Sequence, residues 1–332
     1  MKPATIKDIA RELGVAVSTV SRALQNHPDI SDNTKHQVRE CAKRLNYKPN
    51  LMASNLRTNK NNTIGVMVPE LNHHFFASIL DGIEQVANEN GYSILICQSR
   101  ENTQKEQQDL ETLLHSRVAG MLLAISKETA HLQHVREVLS ANIPLVLYDR
   151  PCPSLSCDQV ICDDYAGAYA AVEHMIKTGC RRILYFSSSM QLEVSHRRYQ
   201  GWRDALTQYQ LFRGAEDIIT CDTREKAIEM LPQIMSSHQP DAIFCVNDHA
   251  ASGVLYAAQQ IGINVPNQLS ICGFSDAPLA QITSPMLTTV GQDGAEIGRR
   301  AMHCLLRRLH GDNLKYHTEM VTTSLILRGT TR

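Results

Sequence analysis

Long apolar runs are missing from this chain of 332 residues. A membrane-spanning helix needs about 20 apolar residues in succession, so none is expected. No secretory leader is visible at the amino terminus. The ten cysteines then read as reduced thiols of a cytoplasmic protein. No Cys-x-x-Cys spacing occurs. Cys152, Cys157 and Cys162 are evenly spaced but fall across a loop and a strand start, a poor frame for a metal or a redox pair. Catalytic constellations are lacking too, with no Ser/His/Asp arrangement and no glycine-rich phosphate loop. His249 beside Asp248 is too little for catalysis. His73 and His74 would point to opposite sides of an extended segment, which disfavours a shared metal. No enzyme activity, cofactor or bound metal is expected.

Net charge is almost absent, at −1, yet the balance hides an asymmetry. Residues 1–60 hold 11 Lys+Arg against 5 Asp+Glu, a net of +6; the whole chain has 33 and 34, so residues 61–332 hold 22 against 29, a net of −7. A basic head on an acidic body suits a polyanionic partner, because neutralising phosphates releases counterions.

The head is patterned as helices. Ile6, Ile9, Ala10 and Leu13 recur at i, i+3, i+4 and i+7, one apolar stripe. Thr5 is placed to cap that helix, with Asp8 closing a capping box. Gly14 ends it, free to take positive φ. The next helix buries Val20, Ala23 and Leu24. Its other face presents Ser18, Ser21, Arg22 and Gln25, again at helical spacing. Those side chains suit phosphates and base edges, and Arg22 suits a guanine. A third helix starts at Ser31, its N-cap, and buries Val38, Cys41, Ala42 and Leu45. Three helices with one polar reading face can dock in a major groove.

The run Thr5-Ile6-Lys7-Asp8-Ile9-Ala10, Gly14-Val15, Ser18-Thr19-Val20-Ser21-Arg22 and Leu45-Asn46-Tyr47-Lys48-Pro49-Asn50 closely resembles the head of the lac repressor family of bacterial transcription regulators. The resemblance implies that Val17, Ser18 and Arg22 read the operator. Thr5, Thr19, Ser21, Gln25, Asn50 and Ala53 complete the expected DNA contacts. Ala16 stands where the family usually has a capping Ser, a loss of about 0.5–2 kcal/mol for the free helix. Leu51 to Arg57 is only two turns long, marginal alone, and 58–62 is a polar linker. The family reading makes this segment a hinge helix that folds on DNA. Leu56 would then wedge into the minor groove or pack hinge to hinge.

From Ile64 onward, apolar runs alternate with helical stretches. Strands are expected at 64–68, 93–97, 120–125, 144–147, 182–186, 242–246 and 269–273. Helices are expected at 77–90, 105–116 and 128–140, and Trp202 belongs to a helix core. Strand–helix alternation implies parallel sheets with helices on both faces. About 270 residues exceed one comfortable core, so two doubly wound lobes are expected, with a ligand cleft at the carboxyl ends of their strands. The body resembles the effector-binding core of the same family, which is related to periplasmic sugar-binding proteins. The expected fold is therefore an all-α helix-turn-helix head (1–48), a hinge (49–62) and a two-lobed α/β core (63–332). Lobe one takes about 63–160 and 290–322, and lobe two about 161–289 and 323–332.

Strand ends nominate the pocket. Phe75 and Phe76 follow the first strand, Asp149 and Arg150 end the fourth, and Arg198, Asn247 and Asp248 come from the second lobe. The family places effector contacts at Phe75, Phe76, Asp149, Arg198, Asn247 and Asp248. It often has Asp directly after a Gly-aromatic pair, where this chain has Ser275 and then Asp276, so either may serve in its place. A fixed set of donors and acceptors beside an aromatic floor suits a hydroxyl-rich ligand. Sugar, sugar phosphate, nucleoside and purine all fit, and the family favours a sugar. The partners implied are double-stranded operator DNA, a small-molecule effector and a second copy of the chain, with no membrane. The family's tetramers carry a leucine-heptad tail, which is not seen after Leu327, so a homodimer is expected. A protein co-effector and a plain solute-binding module are the alternatives.

Overall fold

The computed structural model describes residues 4–47, 61–190 and 192–332. Asn50, Ala53 and Leu56, expected at the DNA, lie outside the described residues. The chain divides into two compact units, residues 1–61 and 62–332.

The first unit is helical. Its helices are α1 (Ile6–Leu13), α2 (Val17–Leu24) and α3 (Asp32–Arg44). Thr5 N–H donates to Asp8 Oδ2 at 2.9 Å and closes one half of the capping box. Gly14 stops α1 at φ 65, and the next N–H, from Val15, returns to Ala10 O at 3.1 Å. Ser31 Oγ accepts from Thr34 N–H at 3.2 Å and starts α3. Ile9, Val20, Ala23 and Val38 are fully buried where the three helices meet.

The second unit has two sheets of six strands each. The chain runs β1 (Thr63–Val68), α4 (His74–Glu89), β2 (Ser93–Gln98), α5 (Thr103–His115), β3 (Gly120–Leu123), α6 (Gln133–Ser140), β4 (Leu145–Tyr148) and β5 (Asp158–Cys162). It continues α7 (Asp164–Lys177), β6 (Ile183–Ser187), α8 (Glu193–Gln208), β7 (Ile218–Thr220), α9 (Arg224–Ser237), β8 (Ala242–Cys245), α10 (Asp248–Gln260) and β9 (Ser270–Ser275). It ends α11 (Leu279–Ile282), β10 (Thr288–Gly291), α12 (Gly294–Leu309), β11 (Thr318–Val321) and β12 (Ser324–Ile326).

Sheet one has the order β11-β5-β4-β3-β1-β2 and is wholly parallel; sheet two has the order β12-β10-β9-β8-β6-β7. β12 departs from the expected parallel pattern, because it pairs antiparallel with β10. Only Thr322 and Thr323 separate it from β11, so the chain enters lobe two from the carboxyl ends of the other strands and runs back along the sheet. The chain passes between the lobes at Asp163, at Gln292–Asp293 and at Thr322–Thr323.

Each sheet is covered on both faces. In lobe one, α4 and α12 touch at backbone distance: a Cβ on Gly82 would stand 2.1 Å from Ala295 O, and one on Gly298 2.1 Å from Ile79 O. Larger residues would force the two helices apart. In lobe two, Trp202 is fully buried and its Nε1–H donates to Ile183 O at 3.1 Å. That satisfies the one polar atom a buried indole carries.

One expected helix is shorter than its periodicity suggests. The segment 128–140 is helical only from Gln133. Glu106, fully buried on α5, holds the preceding residues in a loop. It accepts from Ser126 N–H at 2.5 Å, Thr129 Oγ1 at 2.9 Å and pairs with His134 Nε2 at 2.7 Å. A buried carboxylate needs such donors, and they outweigh the local helical pattern. All ten cysteines are free thiols. Burial pushes Cys157 up to about 12, which makes it a poor nucleophile.

Candidate functional site

In the head, the exposed side of α2 presents Val17, Ser18, Arg22 and Gln25, with Thr5 exposed at the start of α1 and Thr19 half-buried. Among the described residues of the head, the ion pairs engage Arg11, Lys35, Lys43 and Arg44. Arg22 is in none of them, so its guanidinium is available to a partner. Val17 is 40% exposed, an apolar group beside the polar ones, suited to a thymine methyl. Ser21 departs from expectation. It is 7% exposed and joins Val20 and Ala23 on the buried arc of α2. A serine is small enough for the close approach of the helices there.

In the second unit, a cavity of about 520 Å³ opens between the two lobes. Its lining comes from the carboxyl ends of strands in both sheets. His73 and Phe76 follow β1, Glu101 follows β2, Lys127 follows β3, and Asp149 with Arg150 follows β4. Ser188, Asp222, Asn247, Ser275 and Gln292 answer from β6, β7, β8, β9 and β10. This is where doubly wound folds bind ligands.

Arg198, on α8, is 8% exposed and fixed on three sides. Its Nε donates to Asp164 Oδ1 at 2.8 Å, its Nη1 donates to Val246 O at 2.6 Å, and its guanidinium carbon lies 3.8 Å from the centre of the Phe274 ring. A guanidinium so held is preorganised. Arg150 is equally committed. It meets Glu101 in a fork at 2.7 and 2.6 Å and donates to Ile125 O at 2.7 Å.

Asp149 lies 3.7 Å from Arg150 Nε and within electrostatic reach of Arg198, in a left-handed turn with φ 62. Burial pushes its carboxyl up to about 6, against the opposing pull of Arg150. Near neutrality such a group exchanges readily between acceptor and donor, a useful property beside a hydroxyl. Phe75 and Phe76 both belong to the core and both line the cavity. They stand in the first turn of α4, which begins at His74, earlier than expected. Asn247 caps α10: its Oδ1 accepts from Ala250 N–H at 2.8 Å, and its Nδ2 donates to Asp222 O at 2.9 Å. Ser275 lines the cavity at φ 118.

Two expected residues do not line it. Asp248 is fully buried and accepts from Thr289 Oγ1 at 2.5 Å, Ala277 N–H at 2.7 Å and Ser275 Oγ at 3.4 Å. It ties α10 to β10 and to the turn after β9. Asp276 turns away at φ 54 and pairs with Arg328 at 2.6 Å.

Sequence patterning missed Glu101, Lys127 and Asp222. Lys127 Nζ reaches Asp222 Oδ2 at 3.5 Å, from one lobe to the other. His73 and His249 also meet across the cleft, ring centres 4.9 Å apart. Burial, then the nearby His249, lowers His73 to about 4, so it is neutral near pH 7. The available signal was position: each follows a strand end. β7 is three residues long, too short for a pattern, so Asp222 had no strand to mark it.

A three-helix reading head joined to a two-lobed cleft is the make-up of a DNA-binding regulator with a ligand-binding core. Residues 5–50 match the family described as bacterial regulatory proteins, lacI family, and residues 172–331 match a periplasmic binding protein-like domain. The chain is 32% identical over 329 residues to a ribose operon repressor of Haemophilus influenzae, covering 98% of each chain. It is 33% identical over 333 residues to the HTH-type transcriptional repressor CytR of Escherichia coli, covering 99% of this chain and 96% of that one. Its fold is similar to that of a lac repressor dimer bound to operator and an anti-inducer, with a TM-score of 0.90, 26% identity and 99% of each chain covered. The chain belongs to the lacI family of bacterial regulatory proteins. It is a DNA-binding transcriptional regulator.

Proposed function

We propose that this regulator represses transcription as a homodimer on a pseudo-palindromic operator, and that an uncharged, hydroxyl-rich effector in the cleft controls its affinity for DNA. The repressors it is similar to support the first half. Two-fold symmetry in the protein matches two half-sites in the DNA. Val17, Ser18 and Arg22 read base edges, with Thr5, Thr19 and Gln25 beside them.

The observation that carries the second half is the cavity's charge inventory. Three of its four cations are already paired with carboxylates: Arg150 with Glu101, Arg198 with Asp164, and Lys127 with Asp222. Arg224 lies over the Tyr256 ring, 5.6 Å from its centre. A phosphate would find only Arg224 outside an ion pair among the described residues of the lining, and it would face Asp149, Glu70 and Glu225. A neutral polyol needs only the fixed donors and acceptors of Arg198, Asp149, Asn247 and Ser275 against Phe75 and Phe76. A free sugar fits this description, and so does a nucleoside.

The effector biases the lobe arrangement, and the lobes set the spacing of the segments leading to the DNA-binding heads. The chain performs no catalysis in this role, and it works in the cytoplasm, where the DNA is. Among the described residues no helix is long and apolar enough to cross a membrane. Selection of bound fragments from a random DNA pool tests the DNA half. An enriched inverted repeat supports the proposal, and a pool without enrichment rejects it.

A further inference from the structure

A second cluster lies on lobe one, at the end of the sheet away from the cleft. β11 is an edge strand, opposite β2 in the sheet order, and α12 precedes it in the chain. His317 stands just before β11 and Glu319 within it. Their Nε2 and Oε1 atoms are 3.0 Å apart. Cys304 Sγ, from α12, is 3.3 Å from the same Glu319 oxygen. All three ligand atoms lie within 4.8 Å of one another.

Three Lewis bases converging so closely call for a cation, and Arg307 supplies one. Its Nη2 is 2.8 Å from His317 Nε2, 3.1 Å from Glu319 Oε1 and 3.2 Å from Cys304 Sγ. His317 Nε2 thus faces both the Arg307 donor and the Glu319 carboxylate, while Nδ1 faces Asp158 Oδ1 at 3.1 Å. Asp158 is itself buried and held by Arg308 at 2.7 and 3.0 Å and by His317 N–H at 3.0 Å. A carboxylate behind an imidazole is the arrangement that orients histidine ligands on metals.

We propose that Cys304, His317 and Glu319 form a three-ligand site for a Zn²⁺-class transition-metal ion, with water as the fourth ligand. Sulfur, imidazole and carboxylate suit this class of ion. Metal–ligand bonds of about 2.0–2.3 Å in a tetrahedron separate the ligands by roughly 3.3–3.6 Å. The 3.0 and 3.3 Å spacings to Glu319 need to open by only a few tenths of an ångström, and the Cys304–His317 spacing lies within 4.8 Å. Arg307 is 46% exposed at its side chain, so it can leave toward solvent as the metal enters. Binding releases the Cys304 thiol proton and forms the metal–thiolate bond. Arg307 is thus the competing cation of the metal-free protein.

The test uses full-length, reduced, chelator-stripped protein titrated with Co²⁺ as the probe, followed by Zn²⁺ displacement. One tetrahedral cobalt–thiolate absorption per chain, bleached by Zn²⁺, is the expected result. It should vanish in Cys304→Ser and in His317→Gln. The second change is on the surface and keeps the test valid if the buried first one misfolds. Arg307→Gln should bind Co²⁺ several-fold tighter than the parent, because the competitor is gone. No thiolate–cobalt band, a band retained in His317→Gln, or an Arg307→Gln affinity no better than the parent each overturns the proposal.

Discussion

Lys127 and Asp222 join the two lobes, Nζ to Oδ2 at 3.5 Å across a sequence separation of 95 residues. The pair is partly exposed, at 37% and 12%, so its contribution to global stability is at most about 1 kcal/mol. Its effect is on the cleft. Lys127→Ala should leave the melting temperature nearly unchanged and speed amide exchange at the cleft rim, in residues 73–76 and 247–250. Unaltered exchange in both segments would show that the pair does not hold the lobes together.

Asp149 gives the protein a pH signature. Burial raises it to about 6, whereas an unfolded carboxyl titrates near 3.9. Between about pH 4 and 6 the folded protein holds a proton that the unfolded chain releases, so this contribution falls as pH rises through the window. Asp248, also raised to about 6 by burial, acts the same way. His73, lowered to about 4, acts oppositely, because the unfolded chain takes up its proton between about pH 6.5 and 4. The difference between two proteins isolates one group. Asp149→Asn should be more stable than the parent at pH 7 by on the order of 1–3 kcal/mol, and the gain should disappear at pH 4. Urea unfolding at both pH values measures this, and a pH-independent difference would contradict it.

Arg22 should matter to DNA and not to folding. It is exposed and in none of the ion pairs among the described residues of the head. Arg22→Ala should lose about 1–3 kcal/mol of specific binding with far less effect on non-specific DNA and none on melting. Fluorescence anisotropy on selected and scrambled duplexes gives both numbers, and equal losses on the two would deny it a base-reading role.

Leu95 and Ile96 lie on edge strand β2 and are 37% and 40% exposed. An exposed apolar edge invites pairing with another chain. Ile96→Lys should convert the dimer to monomer by light scattering while each chain stays folded. A variant that remains dimeric would place the interface elsewhere.

The sequence was most legible where one local rule decided the outcome. The Thr5/Asp8 cap, the Gly14 stop and the stripe through Val20 and Val38 followed from helical spacing alone. Alternating strands and helices gave the two-sheet core, and the strand ends gave the cleft. Legibility failed where a distant partner overrode the local pattern. Glu106 unwound the residues before Gln133, and the short passage at Thr322–Thr323 reversed β12. At the site, motif proximity carried Asp248 along with Asn247. The helix begins between them, so Asn247 faces the cavity as a cap while Asp248 turns back onto Thr289. Ser275 and Asp276 are themselves two successive positive-φ residues, a backbone turn that sends their side chains different ways and that no residue count reveals.

The central claim is that an uncharged, hydroxyl-rich molecule binds this cleft. Thermal unfolding across free pentoses and hexoses, their phosphates, nucleosides and purine bases tests it most directly, in the parent and in the near-isosteric Asp149→Asn. The account predicts stabilisation by a neutral sugar or nucleoside, about 2.7 kcal/mol at 100 times its dissociation constant, with no response to the phosphate ester and a loss of the shift in Asp149→Asn. Stabilisation by the phosphate ester alone, or a shift of equal size in the variant, would contradict it.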